Sequence, residues 1–535
     1  MLARARRARG MTLGVTALVT LPTSAVAQQI DVVEMTVAEV HAGYASGAFT
    51  AVELTRAFLD RIQRFEGHYN AFISMNPDAL AIAAELDVLY AGSGLVGPLH
   101  GVPVVIKDNI DYGGLVTTAG WDGFSSATGG VDMVPSDDAA VVTRLREAGA
   151  IILGKTNLPD FAGHGTRTTS SVAGMTLNPY NVDKVPGGSS GGTATAVNAS
   201  FAVLGLGSET GGSIQNPSSA QALVGVKPTY GLVPIEGVVP LSGTYVDVVG
   251  PLAKNVRDAA LTLDVLAGPT EEDLATFASV GRMPEGGYAA ALGVGSLQGK
   301  RFGLVGTGWR DDYVPLDPTT AEHYERAVAT LKSLGAEVVD DPFSGSGFVE
   351  LYDERPNVRS QSAYDMLLYL RGLGADAPFD SIEDWEALSG REYTRGRRGD
   401  QEPPAPARPS ATEEGDAYQA WRHQIRGLFR SVLQEHRLDG LFFPQSGEPN
   451  RPVVEDPERP DYNPNNWAEI PSNIINDLGI PTVTVPYDYY EDGTPFVLAL
   501  IGDMWSEASL LAYAYELERA TSARVAPSLV GKPTR

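Results

Sequence analysis

Two glycine-rich turns that present serines constrain this chain more than any other stretch. The first is Pro186-Gly187-Gly188-Ser189-Ser190-Gly191-Gly192. The second is Ser208-Glu209-Thr210-Gly211-Gly212-Ser213, whose last serine lies twenty-four positions after Ser189. Between them, residues 193–199 (TATAVNA) read as a short helix of small residues and 201–207 (FAVLGLG) as a buried apolar strand. Each serine therefore sits where a regular element meets a glycine turn. Glycine lacks a Cβ, so such turns reach φ/ψ values closed to other residues and bring backbone N–H groups close to a bound group. That is what an oxyanion site needs. Glycine and serine pairs are also ordinary loop residues, so either turn alone carries both readings.

The surrounding pattern is that of an α/β protein. Residues 32–65 carry apolar residues at helical spacing, with Thr50 as N-cap before Val52, Leu54, Phe58, Leu59 and Ile62. A second helix is expected over 77–91. Val102, Val104, Val105 and Ile106 form the almost unbroken apolar run of a strand buried on both faces, and Lys107 ends it. A lysine there either snorkels to solvent or, if desolvated, loses its proton and becomes a base. A helix over 137–148 and a strand over 150–154 (AIILG) make a helix–strand unit. Further helices are read at 217–223, 256–267, 319–334 and 506–521, and strands at 301–305, 480–486 and 496–501. Residues 372–415 show no sustained periodicity, and their Pro-rich, charged part reads as an exposed insertion. A second Pro/Asn-rich loop spans 447–466. There is no internal repeat and no clean domain boundary, so one large domain over 28–535 is expected in spite of the length.

Residues 1–27 read as a secretory signal peptide. Arg4, Arg6, Arg7 and Arg9 precede a short apolar run, and Ala25-Val26-Ala27 supplies the small-x-small cleavage pattern. Cleavage after Ala27 would place the protein in the periplasm or outside the cell, with Arg6-Arg7 as a hint of a twin-arginine route. The apolar run is too short to span a bilayer, and the mature chain is expected to have no membrane span. Removal of the four arginines takes the formal charge from −26 to −30. So acidic a chain argues against nucleic-acid or anionic-membrane partners. With no cysteine, disulfides, thiol nucleophiles and thiolate metal sites are excluded.

The common hydrolytic devices can be tested by subtraction. There is no H-E-x-x-H, and the seven histidines are scattered, so neither a metal nor another cofactor is expected. The glycine turns are not followed by the Lys-Ser or Lys-Thr of a phosphate-binding loop. Gly188-Ser189-Ser190-Gly191 only superficially approaches a nucleophile elbow. His164, in a glycine-rich setting, reads either as a loop histidine or as a base. Lysine and serine remain as base and nucleophile.

Lys107-Asp108-Asn109-Ile110, PGGSSGG at 186–192, GSETGGSI at 207–214 and Val224-Gly225-Val226-Lys227-Pro228-Thr229, in this order, resemble the amidase signature family. The similarity runs from about Ala38 to Ala520. The resemblance implies a single α/β domain with a mixed sheet core covered by helices, and a Ser–Ser–Lys triad at Ser213, Ser189 and Lys107. It implies that Ser213 is the nucleophile, and that Ser189, after a cis peptide bond from Gly188, relays protons to Lys107. It further implies that the N–H groups of Thr210, Gly211, Gly212 and Ser213 form the oxyanion hole, with Ser190 and Asp108 as supports. Two positions depart from the family, which often has Asp where Glu209 stands and Arg where Gln215 stands. The bracing of the nucleophile turn should therefore differ, and with it the substrate.

The expected function is an exported amidase that hydrolyses an aryl, peptide or fatty amide, or a carbamate, through an acyl-enzyme, as a monomer or homodimer. Two rivals stand beside it: a glutamine-amidotransferase subunit that works on charged tRNA, and a non-catalytic exported binding protein on the same scaffold. Tyr462 and Trp467, in or beside the second long loop, are candidates either for an acyl pocket or for surface packing.

Overall fold

Among the described residues eleven strands share one mixed sheet, and two of its fully buried members lead to the catalytic candidates. The computed structural model describes residues 30–241, 245–310, 314–358, 360–375, 377–393, 407–408, 411–454 and 468–530. In chain order the strands are β1 (Phe72–Met75), β2 (Pro103–Lys107), β3 (Ile151–Thr156), β4 (Thr169–Ser170), β5 (Gly174–Met175), β6 (Leu204–Glu209) and β7 (Val224–Lys227). Then follow β8 (Val248–Ala253), β9 (Arg301–Leu304), β10 (Glu337–Val339), β11 (Gly440–Pro444), β12 (Thr482–Tyr489) and β13 (Pro495–Ile501). Strands β4 and β5 pair with each other, and the others run β1-β3-β2-β6-β8-β7-β12-β13-β11-β9-β10. Strand β2 is parallel to β3 and β6, and β9 is parallel to β10 and β11. The strands from β6 through β8, β7, β12 and β13 to β11 are antiparallel.

The apolar run before Lys107 is continuous because β2 is covered on both faces. Val104, Val105 and Ile106 are all 0 % exposed. The small-residue helix Gly191–Asn198 packs on β2 and β6, the helix Val256–Leu266 on β7 and β8, and the helix Glu507–Thr521 on β12. That last helix turns Leu510, Leu511, Ala514 and Leu517 inward, as its spacing predicts. Thr50 caps the helix Ala51–Tyr69. Its hydroxyl accepts from Glu53 N at 3.2 Å, and Glu53 returns a bond to Thr50 N at 2.9 Å.

Several sequence boundaries move. The helical pattern over 32–65 is two helices, Val37–Ser46 and Ala51–Tyr69, parted by Gly47 in the left-handed region at φ 68°. The strand expected over 201–207 runs Leu204–Glu209, so Ser208 and Glu209 belong to the sheet rather than to the turn. Residues 372–415 are not simply an exposed insertion: they contain the helix Ile382–Ser389, whose Trp385 is 0 % exposed. The physical reason is aromatic packing. The Trp385 ring lies 4.8 Å from Trp121 and 6.1 Å from Phe124, and its Nε1 donates to Gly123 O at 3.0 Å. Residues 1–29, with the expected signal peptide, and Tyr462 and Trp467 lie outside the described residues. Among the described residues, no helix is long and apolar enough to cross a membrane.

Trp385→Ala is expected to destabilise the fold by about 3–5 kcal/mol, the range for emptying an aromatic from a packed cluster. A urea titration followed by tryptophan-independent far-UV circular dichroism would show it as a lower midpoint.

Candidate active site

Parallel pairing brings the site together. Val104, Val105 and Ile106 of β2 are in register with Leu204, Gly205 and Leu206 of β6, so both strands end at the same edge of the sheet. Lys107 closes β2, while Ser208 and Glu209 close β6 and lead into the second glycine turn. The helix Gly191–Asn198 starts directly from the first turn and is wholly buried, which brings Ser189 and Ser190 to that edge. The peptide bond Gly188–Ser189 is cis.

Lys107 is 0 % exposed, as are Ser189 and Ser190, and Ser213 is 6 % exposed. Lys107 Nζ lies 2.7 Å from Ser189 Oγ, 3.0 Å from Ser208 Oγ and 3.1 Å from the Ser208 carbonyl oxygen. It does not snorkel to solvent. Burial pushes its pKa down to about 7, against the opposing pull of the Glu209 and Asp247 carboxylates. A large fraction of Lys107 is therefore uncharged at neutral pH. In that form its lone pair is placed to accept a hydrogen bond from the Ser189 hydroxyl across the same short contact.

The two turns are stitched to each other. Ser190 N donates to Ser213 O at 3.2 Å, and Ser190 Oγ donates to Ser208 O at 3.2 Å. Among the described residues, the N–H groups of Gly211, Gly212 and Ser213 have no hydrogen-bond partner. Gly212 adopts φ 104°, which disfavours any side chain, and a Cβ there would also meet Asn216 Nδ2 at 2.7 Å. A turn of unpaired donors beside a buried serine is chemically suited to stabilise an oxyanion.

The two departures from the family pattern prove to be partners. Glu209 Oε1 accepts from Gln215 Nε2 at 2.6 Å, while Oε2 accepts from Ile214 N at 2.7 Å and Gln215 N at 3.0 Å. Together they brace the segment that follows Ser213. On its other side, Thr210 Oγ1 donates to Asp247 Oδ1 at 2.6 Å, and Asp247 Oδ2 accepts from Leu241 N at 2.9 Å.

Asp108 faces away from the serines. Its Oδ1 is 3.0 Å from Lys155 Nζ, with both side chains fully buried. Its Oδ2 accepts from Thr118 N at 3.0 Å and from the Thr118 hydroxyl. Burial raises the Asp108 pKa, and Lys155 pulls it back. The fully buried Asp111 is pushed up to about 7 by desolvation while accepting from Thr117 and Tyr369 hydroxyls. His164 Nδ1 accepts from Thr166 N at 3.2 Å and Arg167 N at 3.1 Å, the geometry of a loop-bracing histidine. Sequence reading gave no role at the site to Lys155, Asp247 or Ser208, the last named only as the start of the second turn. Lys155 lies just beyond an expected strand, and Asp247 carried no motif. Among the described residues, no group of three or more His, Cys, Asp or Glu side chains is placed to hold a metal.

Comparison with known proteins bears on the family and the fold. A family profile described as Amidase matches residues 53–511. A glutamyl-tRNA(Gln) amidotransferase subunit of Alkaliphilus metalliredigens (strain QYMF) is 33 % identical over 495 residues, covering 91 % of this chain and 96 % of that protein. The crystal structure of native peptide amidase from Stenotrophomonas maltophilia superposes with TM-score 0.74 at 33 % identity, over 93 % of this chain and 99 % of that one. The corresponding glutamyl-tRNA(Gln) amidotransferase subunit of Thermotoga maritima superposes with TM-score 0.65 at 25 % identity, over 94 % and 99 %.

Lys155→Met leaves Asp108 buried without its cation and is expected to lose about 3–5 kcal/mol of stability. Adding Asp108→Asn should recover part of that loss, because the pair fails as a unit. Urea unfolding of the two single variants and the double variant reads the coupling.

Proposed function

The chain belongs to the amidase family, and from that footing we propose that it hydrolyses a small carboxylic amide through an acyl-enzyme on Ser213. The observation that carries this reading is the 2.7 Å contact between Ser189 and a fully buried Lys107 whose pKa sits at about 7. Neutral Lys107 takes the Ser189 hydroxyl proton as Ser189 takes that of Ser213, and Ser213 Oγ attacks the amide carbon. The oxyanion lies against the N–H groups of Thr210, Gly211, Gly212 and Ser213, each donor contributing about 3 kcal/mol by the usual scale of such sites. Collapse breaks the C–N bond, and the proton held by Lys107 passes back through Ser189 to the leaving nitrogen. Water then gives a proton to the same relay and adds to the ester, and the acid departs as Ser213 is reprotonated. Ser190 and Asp108 position, the first by tying the turns together and the second by tying Thr118 to Lys155.

A second reading is favoured by the names of the curated relatives: one component of an amidotransferase for glutamyl-tRNA(Gln), which would need partner chains. Both readings share acyl transfer to Ser213 and divide on independence. A stand-alone amidase turns over amides as a purified single chain, whereas a component of a larger enzyme requires its partners. Residues 1–27 support the exported, stand-alone form, with a mature chain beginning at Gln28. In the native host, intact mass of the protein from the extracytoplasmic fraction should correspond to that start. A cytoplasmic chain beginning at Met1 would remove the export reading.

The purified chain alone should hydrolyse members of a panel of peptide, aryl and fatty amides and carbamates, with Ser213→Ala lowering kcat by roughly 10⁴-fold or more. Because the lysine ammonium has no lone pair, activity should be lost as pH falls through about 7 and reach a plateau above it. Lys107→Ala should abolish that inflection. An unchanged pH–rate profile in the variant would remove Lys107 from the mechanism.

A further inference from the structure

Against the nucleophile turn lies a polar cavity that the acyl-transfer chemistry leaves unused. It has a volume of ≈ 320 Å³ and is lined by Thr210, Val246, Tyr352, Arg355, Asn473 and Asp477. Thr210 belongs to the turn itself. Asn473 lies so close over the turn that a Cβ on Gly211 would fall 1.9 Å from its Oδ1. A ligand in this cavity therefore borders the place where a scissile carbonyl would sit.

Among the described residues of the lining, Arg355 is the one cation, and its side chain is 41 % exposed. Its Nε donates to Asp477 Oδ2 at 2.8 Å. The same carboxylate accepts from the Tyr352 hydroxyl at 3.0 Å and the Tyr418 hydroxyl at 2.8 Å, so three donors converge on it. The guanidinium also lies over the Tyr418 ring, 5.5 Å from its centroid. Burial alone would lower the Arg355 pKa, but the Asp477 charge outweighs it and the net shift is upward. Asp477 is thus turned to protein donors, while the two Nη groups of Arg355 carry four further N–H donors in a fork that matches a carboxylate. Holding the fork by its Nε edge removes rotamer freedom before a ligand arrives.

Resting on the amide-hydrolase reading above, we propose that this cavity selects acidic carboxamides: the substrate's amide lies on the Ser213 turn while a second, ionised carboxylate of the same molecule is gripped by Arg355. The protein as a whole carries a formal charge of −26 and repels anions at long range, so selection of an acidic substrate needs a dedicated cation of this kind.

The test pairs glutaramic acid, the monoamide of a five-carbon diacid, with its methyl ester, which differs only in the second charge. The wild-type enzyme should favour the acid by at least tenfold in kcat/KM. In Arg355→Gln that ratio should collapse toward one through a rise in KM for the acid, and Arg355→Lys should keep part of it. A wild-type ratio near or below one, or equal losses for both substrates in Arg355→Gln, overturns the proposal. Calorimetric binding to the Ser213→Ala chain reads the cavity without turnover. Glutaramic acid should bind and its ester should not, and failure of the acid to bind overturns the cavity assignment. Binding of the acid without turnover by the wild type would instead sink the hydrolase reading.

Discussion

A lysine amine held entirely out of water against a serine hydroxyl is the constraint around which the structure is built. Lys107 reaches 0 % exposure only because β2 is covered on both faces and β6 runs parallel beside it, placing Ser208 within reach of Nζ. Burial of an ammonium is unfavourable unless the charge is paired, and among the described residues no carboxylate touches Nζ, so the lysine yields its proton more readily. The low pKa alone does not identify a base. Lys227 is equally buried and also brought down to about 7, yet its Nζ is spent on the Ile480 carbonyl at 2.8 Å. Lys155, buried next to the site, is neutralised by Asp108. Of these three lysines, Lys107 alone meets a serine hydroxyl that adjoins the second turn.

The geometry around that amine is kept by supports that do not react. Glu209 and Gln215 hold the segment after Ser213, Asp247 holds Thr210, and Ser190 joins the two turns. A substitution of aspartate for Glu209 would shorten the reach to Gln215, so the two residues act as one brace. The same turn forms a wall of the cavity at Arg355, so the proposed nucleophile and the proposed carboxylate grip would share a border at Thr210 and Gly211.

How much was legible depended on whether a feature is local. The apolar run of β2, the cap at Thr50 and the first glycine turn are written in neighbouring residues and are found where expected, whereas the second turn gives up Ser208 and Glu209 to β6. The helix Glu413–His436 was missed although Tyr418, Trp421, Ile425, Phe429 and Val432 fall on one buried face at helical spacing. Its first turn overlaps the Pro-rich, charged stretch read as an insertion, and no element was assigned to the residues that follow. Strand β8 was hidden by Gly250 and Pro251, which punctuate local patterns yet here lie inside the sheet opposite Gly207 and Leu206. The Lys155–Asp108 pair and the Arg355–Asp477 pair join residues far apart in the chain. No single-sequence pattern marks such partners.

The central claim is that Lys107 is a neutral amine at working pH, and direct titration measures it most plainly. With lysine labelled at the ε-carbon, the resonance absent from Lys107→Met identifies Lys107, and its chemical shift can be followed from pH 5 to 11. A midpoint near 7 is expected. A lysine that stays protonated until the ordinary value of about 10.4 would contradict the account, because Ser189 would then have no base to relay to.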